Sequence, residues 1–240
     1  MLHNGTSRPP HSVRPATGPR LPFRSVALLG LLAAGLFASL TTFGLLLTRV
    51  LTPSPVSRLD VQVIDWFAAQ RTPALTTLSA IGSDLAMTLP VFVMTAVVAV
   101  VLRIWLGRWR EALVLVLCVL GEWVLFRLVN GAVGRQRPDT MLESATQTAS
   151  FPSGHAGIAV AFYGGLALII LRTVTQRGLA IALASLCFAV PVFVALTRVY
   201  RGMHFPTDVL GSWLLAGIWI TVVVWTLLPR RRVGSDEPQP

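Results

Sequence analysis

The stretch "SFPSGHAGIAVAFYGGLALIILR", residues 150–172, decides the fold class of this chain, because a short polar turn with a histidine opens a long apolar run. The apolar part, 156–171, approaches the length of about 20 residues that a helix needs to cross a membrane. Three small or polar residues, Ser153, Gly154 and His155, stand at the start of this run. Their presence indicates that this end of the helix has a function besides membrane crossing.

The composition of the whole chain is that of a membrane protein. Of its 240 residues, 54% are hydrophobic and only 12% are charged, and the mean hydropathy is +0.69. This balance is too apolar for an ordinary soluble domain. Six apolar runs are candidates for membrane-spanning helices, at 25–47, 85–106, 112–133, 156–171, 179–196 and 209–228. The sequence therefore predicts an all-α bundle of six transmembrane helices over 25–230, with polar tails at 1–24 and 231–240.

The net charge is +10, and all of the basic residues that produce it are arginines, because the chain contains no lysine. The arginines lie between the apolar runs and do not form one patch, which argues against nucleic-acid binding. Cytoplasmic loops beside membrane spans are enriched in basic residues. Placing the N-terminus in the cytoplasm puts the larger share of the arginines on the cytoplasmic side. The predicted topology has both termini in the cytoplasm.

The two cysteines give no sign of a disulfide or a metal site. Cys118 and Cys187 each lie inside an apolar run, without a CxxC spacing or a nearby set of ligands. We expect both to be packing residues, and we expect neither a metal nor another cofactor.

The segment 48–84, between the first and second runs, contains the amphipathic stretch "LDVQVIDWFAAQ". This stretch is long enough for a short helix at the membrane interface. A plain connector with an aromatic anchor is the alternative.

Glu122 is an ionisable residue inside the third apolar run. Such a residue is a functional candidate by default, because a charge within the membrane is costly. We expect it either to pair with Arg127 or to lie near the interior of the bundle.

Three polar clusters lie on what the predicted topology makes the outer side. They are "NGAVGRQRP" (130–138), "PSGH" (152–155) and "TRVYRGMHFPTD" (197–208). Ser153 is a preferred helix N-cap, Gly154 allows close approach to the backbone, and a helix start offers free N–H groups to an anion. The planar fork of arginine suits phosphate oxygens. With two histidines nearby, the clusters indicate phosphoryl transfer with histidine as nucleophile and acid.

These clusters resemble the motifs of the type 2 phosphatidic acid phosphatase superfamily, membrane lipid phosphatases that share their site with vanadium haloperoxidases and glucose-6-phosphatase. That family has Lys-x6-Arg-Pro, Pro-Ser-Gly-His and Ser-Arg-x5-His-x3-Asp. The second motif is complete at 152–155. In the other two motifs the matching residues are Arg137, Pro138, Arg198, His204 and Asp208, with Thr197 in place of the family's serine. The resemblance extends from the third to the sixth apolar run.

The resemblance implies a role for each matched residue. His204 is expected to be the nucleophile that forms a phosphohistidine, Asp208 to orient its imidazole, and His155 to protonate the leaving group and then activate water. Both histidines are expected at a wet outer surface. The residues expected to hold the phosphate oxygens are Arg137, Arg198, Ser153 and Gly154.

Asn130 stands where the family has lysine. An asparagine there is expected to keep a hydrogen-bond donor at the phosphate but to lose a cation. Another arginine is expected to compensate, and the candidates are Arg127, one helical turn before Asn130, and the nearby Arg135 and Arg201. The alternatives are an enzyme that is slow or narrow in substrate, or a degraded copy.

The sequence thus predicts an integral membrane lipid phosphatase with its active site on the extracytoplasmic face of the cell membrane. The expected substrate is a phosphomonoester or diphosphate of a lipid: phosphatidate, phosphatidylglycerophosphate or a polyprenyl diphosphate. The alternatives are a lipid phosphotransferase that uses the same site and a weakened relative that binds lipid phosphate. The expected partners are the lipid phosphate and membrane lipids.

Overall fold

A computed structural model describes residues 23–143 and 148–228, and within these ranges the chain consists of helices, turns and loops without a β-strand. The predicted tails lie outside the described residues, except for Phe23 and Arg24, which begin the first helix. The α-helices of the described part are α1 (Phe23–Leu45), α2 (Pro55–Ala69), α3 (Pro73–Asp84), α4 (Thr88–Leu106), α5 (Arg110–Val133), α6 (Gly154–Ala159), α7 (Gly165–Thr173), α8 (Arg177–Tyr200) and α9 (Pro206–Leu227). Two π-helical segments, Leu46–Val50 and Val160–Gly164, extend α1 and join α6 to α7.

Six helical segments of the described chain are long and apolar enough to cross a membrane. They are Phe23–Val50, Thr88–Leu106, Arg110–Val133, Gly154–Thr173, Arg177–Tyr200 and Pro206–Leu227. The predicted all-α, six-helix bundle is therefore confirmed. The short fourth run becomes a full span because α6, the π-helical segment and α7 form one continuous helix.

The fifth span continues one turn beyond the apolar run that predicted it. The run ends at residue 196, whereas α8 ends at Tyr200 and includes Arg198. The Arg198 side chain is only 2% exposed, and its Nη1 donates to Ser83 Oγ at 2.9 Å and to Glu143 Oε1 at 3.2 Å. A buried charge persists where it is paired. Because hydropathy does not register such partners, the sequence placed the end of this helix too early.

Helix α5 packs against α1, α4, α6 and α9 and so lies at the centre of the bundle. It packs against α9 at Gly121, where a Cβ atom would collide with the indole ring of Trp219. The same indole donates from Nε1 to the carbonyl oxygen of Leu117 at 2.9 Å. A small residue opposite a large one thus brings two membrane helices close together.

The segment 48–84 forms two short helices, α2 and α3. Each begins at a hydroxyl N-cap followed by proline: Ser54 Oγ accepts from the Ser57 amide at 3.2 Å, and Thr72 Oγ1 accepts from the Leu75 amide at 3.3 Å. The amphipathic helix expected within this segment is α2, so the plain-connector alternative is wrong. Helix α3 was not predicted, although Thr72 and Pro73 are a good signal for a helix start.

Helix α2 is attached to the start of α9 through Asp60, whose residue surface is 2% exposed. Its carboxylate accepts hydrogen bonds from the Thr207 amide at 3.1 Å and from the Thr207 hydroxyl. It also pairs with Arg135 Nη2 at 2.9 Å. Three donors therefore compensate the burial of this charge, which fixes α2 beside the start of α9.

The variant Asp60→Asn is expected to lower the free energy of unfolding by about 1.5–3 kcal/mol, because hydrogen bonds to a buried charge are lost. The measurement is thermal unfolding of the detergent-solubilised protein. Asp65→Asn is the matched control, since Asp65 lies on the same helix and is exposed. Equal melting temperatures for the two variants would show that Asp60 does not anchor α2.

Candidate active site

The three polar clusters lie together at one end of the bundle. The Ser150 amide donates to the carbonyl oxygen of Arg135 at 2.7 Å, which joins the segment before α6 to the segment after α5. The Ser153 amide donates to the carbonyl oxygen of Asp208 at 3.2 Å, which joins the starts of α6 and α9. Arg137 Nη1 lies 3.3 Å from His204 Nε2. Residues far apart in sequence therefore surround one site.

The imidazole of His204 is held in a defined orientation between α8 and α9. Its Nδ1 lies 2.7 Å from the carbonyl oxygen of Ser150. Because a carbonyl oxygen can only accept, Nδ1 carries the hydrogen. In the neutral ring the lone pair is then on Nε2, the nitrogen beside Arg137.

The environment of His204 opposes protonation of its imidazole. Burial, and next the charges of Arg137 and Arg198, lower the pKa of His204 well below its usual value. A neutral imidazole whose Nε2 carries no hydrogen is the form that can act as a nucleophile. His204 is 2% exposed, so the expectation of a wet surface is wrong for this residue. His155, the second residue of α6, is half-buried.

Asp208 does not bond directly to His204. Its Oδ2 lies 4.0 Å from His204 Nδ1, and the carboxylate instead accepts from Arg135 Nη1 at 2.7 Å, from the Phe205 amide at 2.8 Å and from the Ser150 hydroxyl. The expected orientation of the imidazole by Asp208 is therefore indirect. Asp208 holds Ser150, and the carbonyl of Ser150 holds the ring. The reason is that an arginine and a helix start compete for the same carboxylate.

The guanidinium of Arg137 is fixed by backbone acceptors. It donates to the carbonyl oxygens of Met203 at 2.6 Å and Thr148 at 3.1 Å, and to Thr148 Oγ1 at 3.1 Å. Burial, followed by the charge of Arg198, lowers the pKa of Arg137. These contacts place a rigid cation directly beside His204 Nε2.

The second cation of the predicted phosphate site, Arg198, belongs to the same cluster as the two histidines. Arg198, Glu143 and Arg137 all lie within electrostatic reach of the His155 imidazole. Arg198 shares Glu143 Oε1 with Arg201, whose Nε is 2.7 Å from that oxygen. Glu143 was not among the predicted site residues, and its position in a loop gave no signal for it.

The start of α6 is built as predicted, but Gly154 has a packing reason of its own. Ser153 Oγ accepts from the Ala156 amide at 3.5 Å, which makes Ser153 the N-cap. A Cβ atom on Gly154 would lie 2.7 Å from the Phe126 ring. The glycine therefore admits an aromatic ring from α5, a reason that the motif alone did not disclose.

Asn130 is occupied by the loop before α6. Its Nδ2 donates to the carbonyl oxygens of Ala149 at 2.8 Å and Phe151 at 3.0 Å, and its Oδ1 accepts from the Ala149 amide at 3.2 Å. Both side-chain donors and the acceptor are used. The expectation that Asn130 donates to the phosphate is therefore not met, because its amide holds residues 149–151.

Two of the three candidates for a compensating cation are directed elsewhere. Arg127 is exposed on the outside of α5. Arg135 lies between Asp60 and Asp208 and is committed to both carboxylates. Arg201 alone among the three shares a partner with Arg198. Side-chain direction, which sequence proximity does not give, separates these candidates.

Glu122 lies in the interior of the bundle, one of the two expected positions. Both of its carboxylate oxygens are buried without a hydrogen-bond partner among the described residues, so the expected pairing with Arg127 is absent there. A Cβ atom on Gly157 would collide with Glu122 Oε1. Both cysteines are free, and no group of three potential metal ligands occurs in the described part of the chain.

The chain matches the family model of the PAP2 superfamily over residues 111–232. Lipid A 1-phosphatase of Rhizobium johnstonii is 29% identical over 136 residues, which are 52% of this chain and 49% of that protein. Undecaprenyl-diphosphatase of Sulfolobus acidocaldarius is 32% identical over 127 residues, which are 53% of this chain and 50% of that protein. The chain thus spans about half the length of the curated relatives it matches.

A solved structure shares the fold. It is a transmembrane PAP2-type phosphatidylglycerolphosphate phosphatase from Bacillus subtilis, with a TM-score of 0.69 and 21% sequence identity, and the match covers 88% of this chain and 100% of that chain. The family model covers all three polar clusters and half of the chain. This chain therefore belongs to the PAP2 superfamily, in agreement with the resemblance of its motifs.

Proposed function

We propose that this protein is an integral membrane lipid phosphatase that hydrolyses a phosphomonoester or a diphosphate of a lipid. The observation that carries the proposal is the orientation of the His204 imidazole, with Nδ1 2.7 Å from the Ser150 carbonyl oxygen and Nε2 3.3 Å from Arg137 Nη1. Membership of the PAP2 superfamily supports it. So do the relatives, whose names are lipid A 1-phosphatase and undecaprenyl-diphosphatase.

In the first step of the proposed reaction, the lone pair on His204 Nε2 attacks phosphorus. The bond between phosphorus and the leaving oxygen breaks, and His155 gives its proton to that oxygen. The product is a phosphohistidine and a free lipid alcohol or lipid monophosphate. In the second step, His155 takes a proton from water, whose oxygen attacks phosphorus and breaks the P–N bond. Inorganic phosphate leaves, and both histidines return to their starting forms.

In this proposal Arg198 and the start of α6 hold the phosphate oxygens, and Arg137, whose N–H groups all donate to protein acceptors, supplies positive charge beside them instead of the expected hydrogen bonds. The Ser153 amide donates to the carbonyl oxygen of Asp208, so the proposed donors of that motif are the Ser153 hydroxyl and the Gly154 amide. Donors aimed at charge that develops in the transition state contribute most to such reactions. The role of Asp208 is to hold Ser150, and through it the imidazole of His204.

The proposed substrate is a lipid phosphate that reaches the site from the membrane. Phosphatidate, phosphatidylglycerophosphate and polyprenyl diphosphates all combine a phosphoryl group with an apolar tail. The proposed site faces the extracytoplasmic side of the cell membrane. In the sequence, most of the arginines flank the helix ends that lie on the other side of the bundle from the site. Since cytoplasmic loops are enriched in basic residues, this distribution supports the orientation.

His204→Ala and His155→Ala separate the two proposed steps when the substrate is p-nitrophenyl phosphate, whose leaving group needs no proton. His204→Ala is expected to release no p-nitrophenol. His155→Ala is expected to release one equivalent in a burst and then to turn over about 100- to 10,000-fold more slowly than the wild type. Stopped-flow absorbance measures both.

Because His204 is buried, size-exclusion profiles and melting temperatures of both variants serve as folding controls. A folded His204→Ala variant with full activity would overturn the proposed function.

Asn130→Lys is expected to lower turnover and the melting temperature, although it restores the family's residue. Lysine has no acceptor for the Ala149 amide and cannot reproduce the bonds that hold residues 149–151. Arg127→Gln, an exposed change one helical turn away, is the control and should leave both quantities unchanged. A gain in turnover for Asn130→Lys would mean that the site lacks a cation at this position.

A further inference from the structure

We propose that Arg198 and Arg201 form a two-arginine anion subsite, which the carboxylate of Glu143 occupies until the phosphoryl group of the substrate displaces it. Arg201 then supplies the cation that Asn130 does not provide. The inference rests on the proposed function, because it identifies the anion as the phosphoryl group of the lipid.

The two guanidinium groups converge on a single oxygen. Glu143 Oε1 is 3.2 Å from Arg198 Nη1 and 2.7 Å from Arg201 Nε. Two arginines repel each other, and an anion between them removes that repulsion. An oxygen shared by two guanidinium groups has the surroundings that a phosphate oxygen takes in arginine sites. The Glu143 carboxylate therefore stands in for one edge of a phosphate.

The arginines are held independently of Glu143. Helix α3 supplies acceptors from one face. Ser83 Oγ accepts a hydrogen bond from Arg198 Nη1 at 2.9 Å, and Ser79 Oγ accepts one from Arg201 Nη1 at 3.0 Å. The Thr76 carbonyl oxygen accepts from the same Arg201 nitrogen at 3.3 Å. The guanidinium groups are thus fixed to a helix, and they stay in place when Glu143 leaves.

Exposure and unused donors also favour an exchangeable anion. The side chains of Arg198 and Arg201 are 2% and 11% exposed, whereas that of Glu143 is 32% exposed. The carboxylate therefore lies on the open side of the pair. Arg198 Nε is buried without an acceptor within the described residues. This subsite can accordingly bind more oxygens than one carboxylate presents to it.

The subsite lies within electrostatic reach of the two histidines, because the charge of Arg198 acts on both rings. Glu143 lies within electrostatic reach of His155 and of Arg137, the neighbour of His204 Nε2. Burial alone would raise the pKa of Glu143, but Arg198 and Arg201 outweigh it and hold that pKa below its usual value. The carboxylate is thus an anion near neutral pH, at the place where substrate phosphate is expected.

The test uses inorganic phosphate as the probe and isothermal titration calorimetry on the full chain in detergent. Glu143→Gln keeps the shape of the side chain and removes its charge, so it should bind phosphate about fivefold or more tightly than the wild type. Asp139→Asn is the matched control. It removes an exposed negative charge from the same loop and should change the Kd much less. Arg201→Gln should weaken phosphate binding about tenfold, and Arg201→Lys should restore part of it.

The KM for a lipid phosphate substrate should follow the Kd in each variant. A Glu143→Gln protein that binds phosphate no more tightly than Asp139→Asn would overturn the inference, as would unchanged binding by Arg201→Gln or no binding by any variant. A shift in Kd without a shift in KM would overturn the assignment to substrate. Binding is measured without turnover, so these outcomes are independent of the His204 burst experiment that tests the proposed function.

Discussion

The buried carboxylate of Asp208 is the group on which the rest of the site depends. It accepts from Arg135, from the Ser150 hydroxyl and from the Phe205 amide at the start of α9. A carboxylate that is fully removed from water costs several kcal/mol unless such donors replace its hydration. Meeting that requirement joins the first and third polar clusters to Ser150, which lies just before the second. The same contacts set the position of Ser150, whose carbonyl fixes the tautomer of His204.

Charges of opposite sign lie on the two sides of the His204 imidazole. Behind it, Arg135 is held between the carboxylates of Asp60 and Asp208. Beside Nε2 lies Arg137, and Arg198 is close enough to act on the same ring. This distribution suits a reaction in which Nε2 meets an anionic phosphoryl group while positive charge develops on the ring. It also explains why Arg135 is not a proposed phosphate ligand, since its charge already balances the acids behind His204.

The sequence predicted the features that local pattern determines. Apolar runs gave the six spans, and motif spacing gave the end of the bundle where His155, His204 and Arg198 meet. It did not give the partners of Arg135 or Glu143, because those contacts join residues more than 50 positions apart. Helix α3 is a different case, since its Thr72 and Pro73 start signal was present but was not used. Most of the features that the sequence did not predict are therefore tertiary contacts. The exception is the start of α3, whose N-cap was overlooked.

Asn130 differs from the family's lysine in its structural role as well as in its charge. Its three hydrogen bonds hold residues 149–151, and Ser150 in that segment carries the carbonyl that orients His204. A lysine side chain has only hydrogen-bond donors and cannot accept the hydrogen bond from the Ala149 amide. In this chain the position thus stabilises the segment that orients His204, and in the proposed function the phosphate charge is met by Arg137 and by residues of α8 and the turn after it. Arg198 and Arg201, fixed by serines of α3, are the cations proposed there.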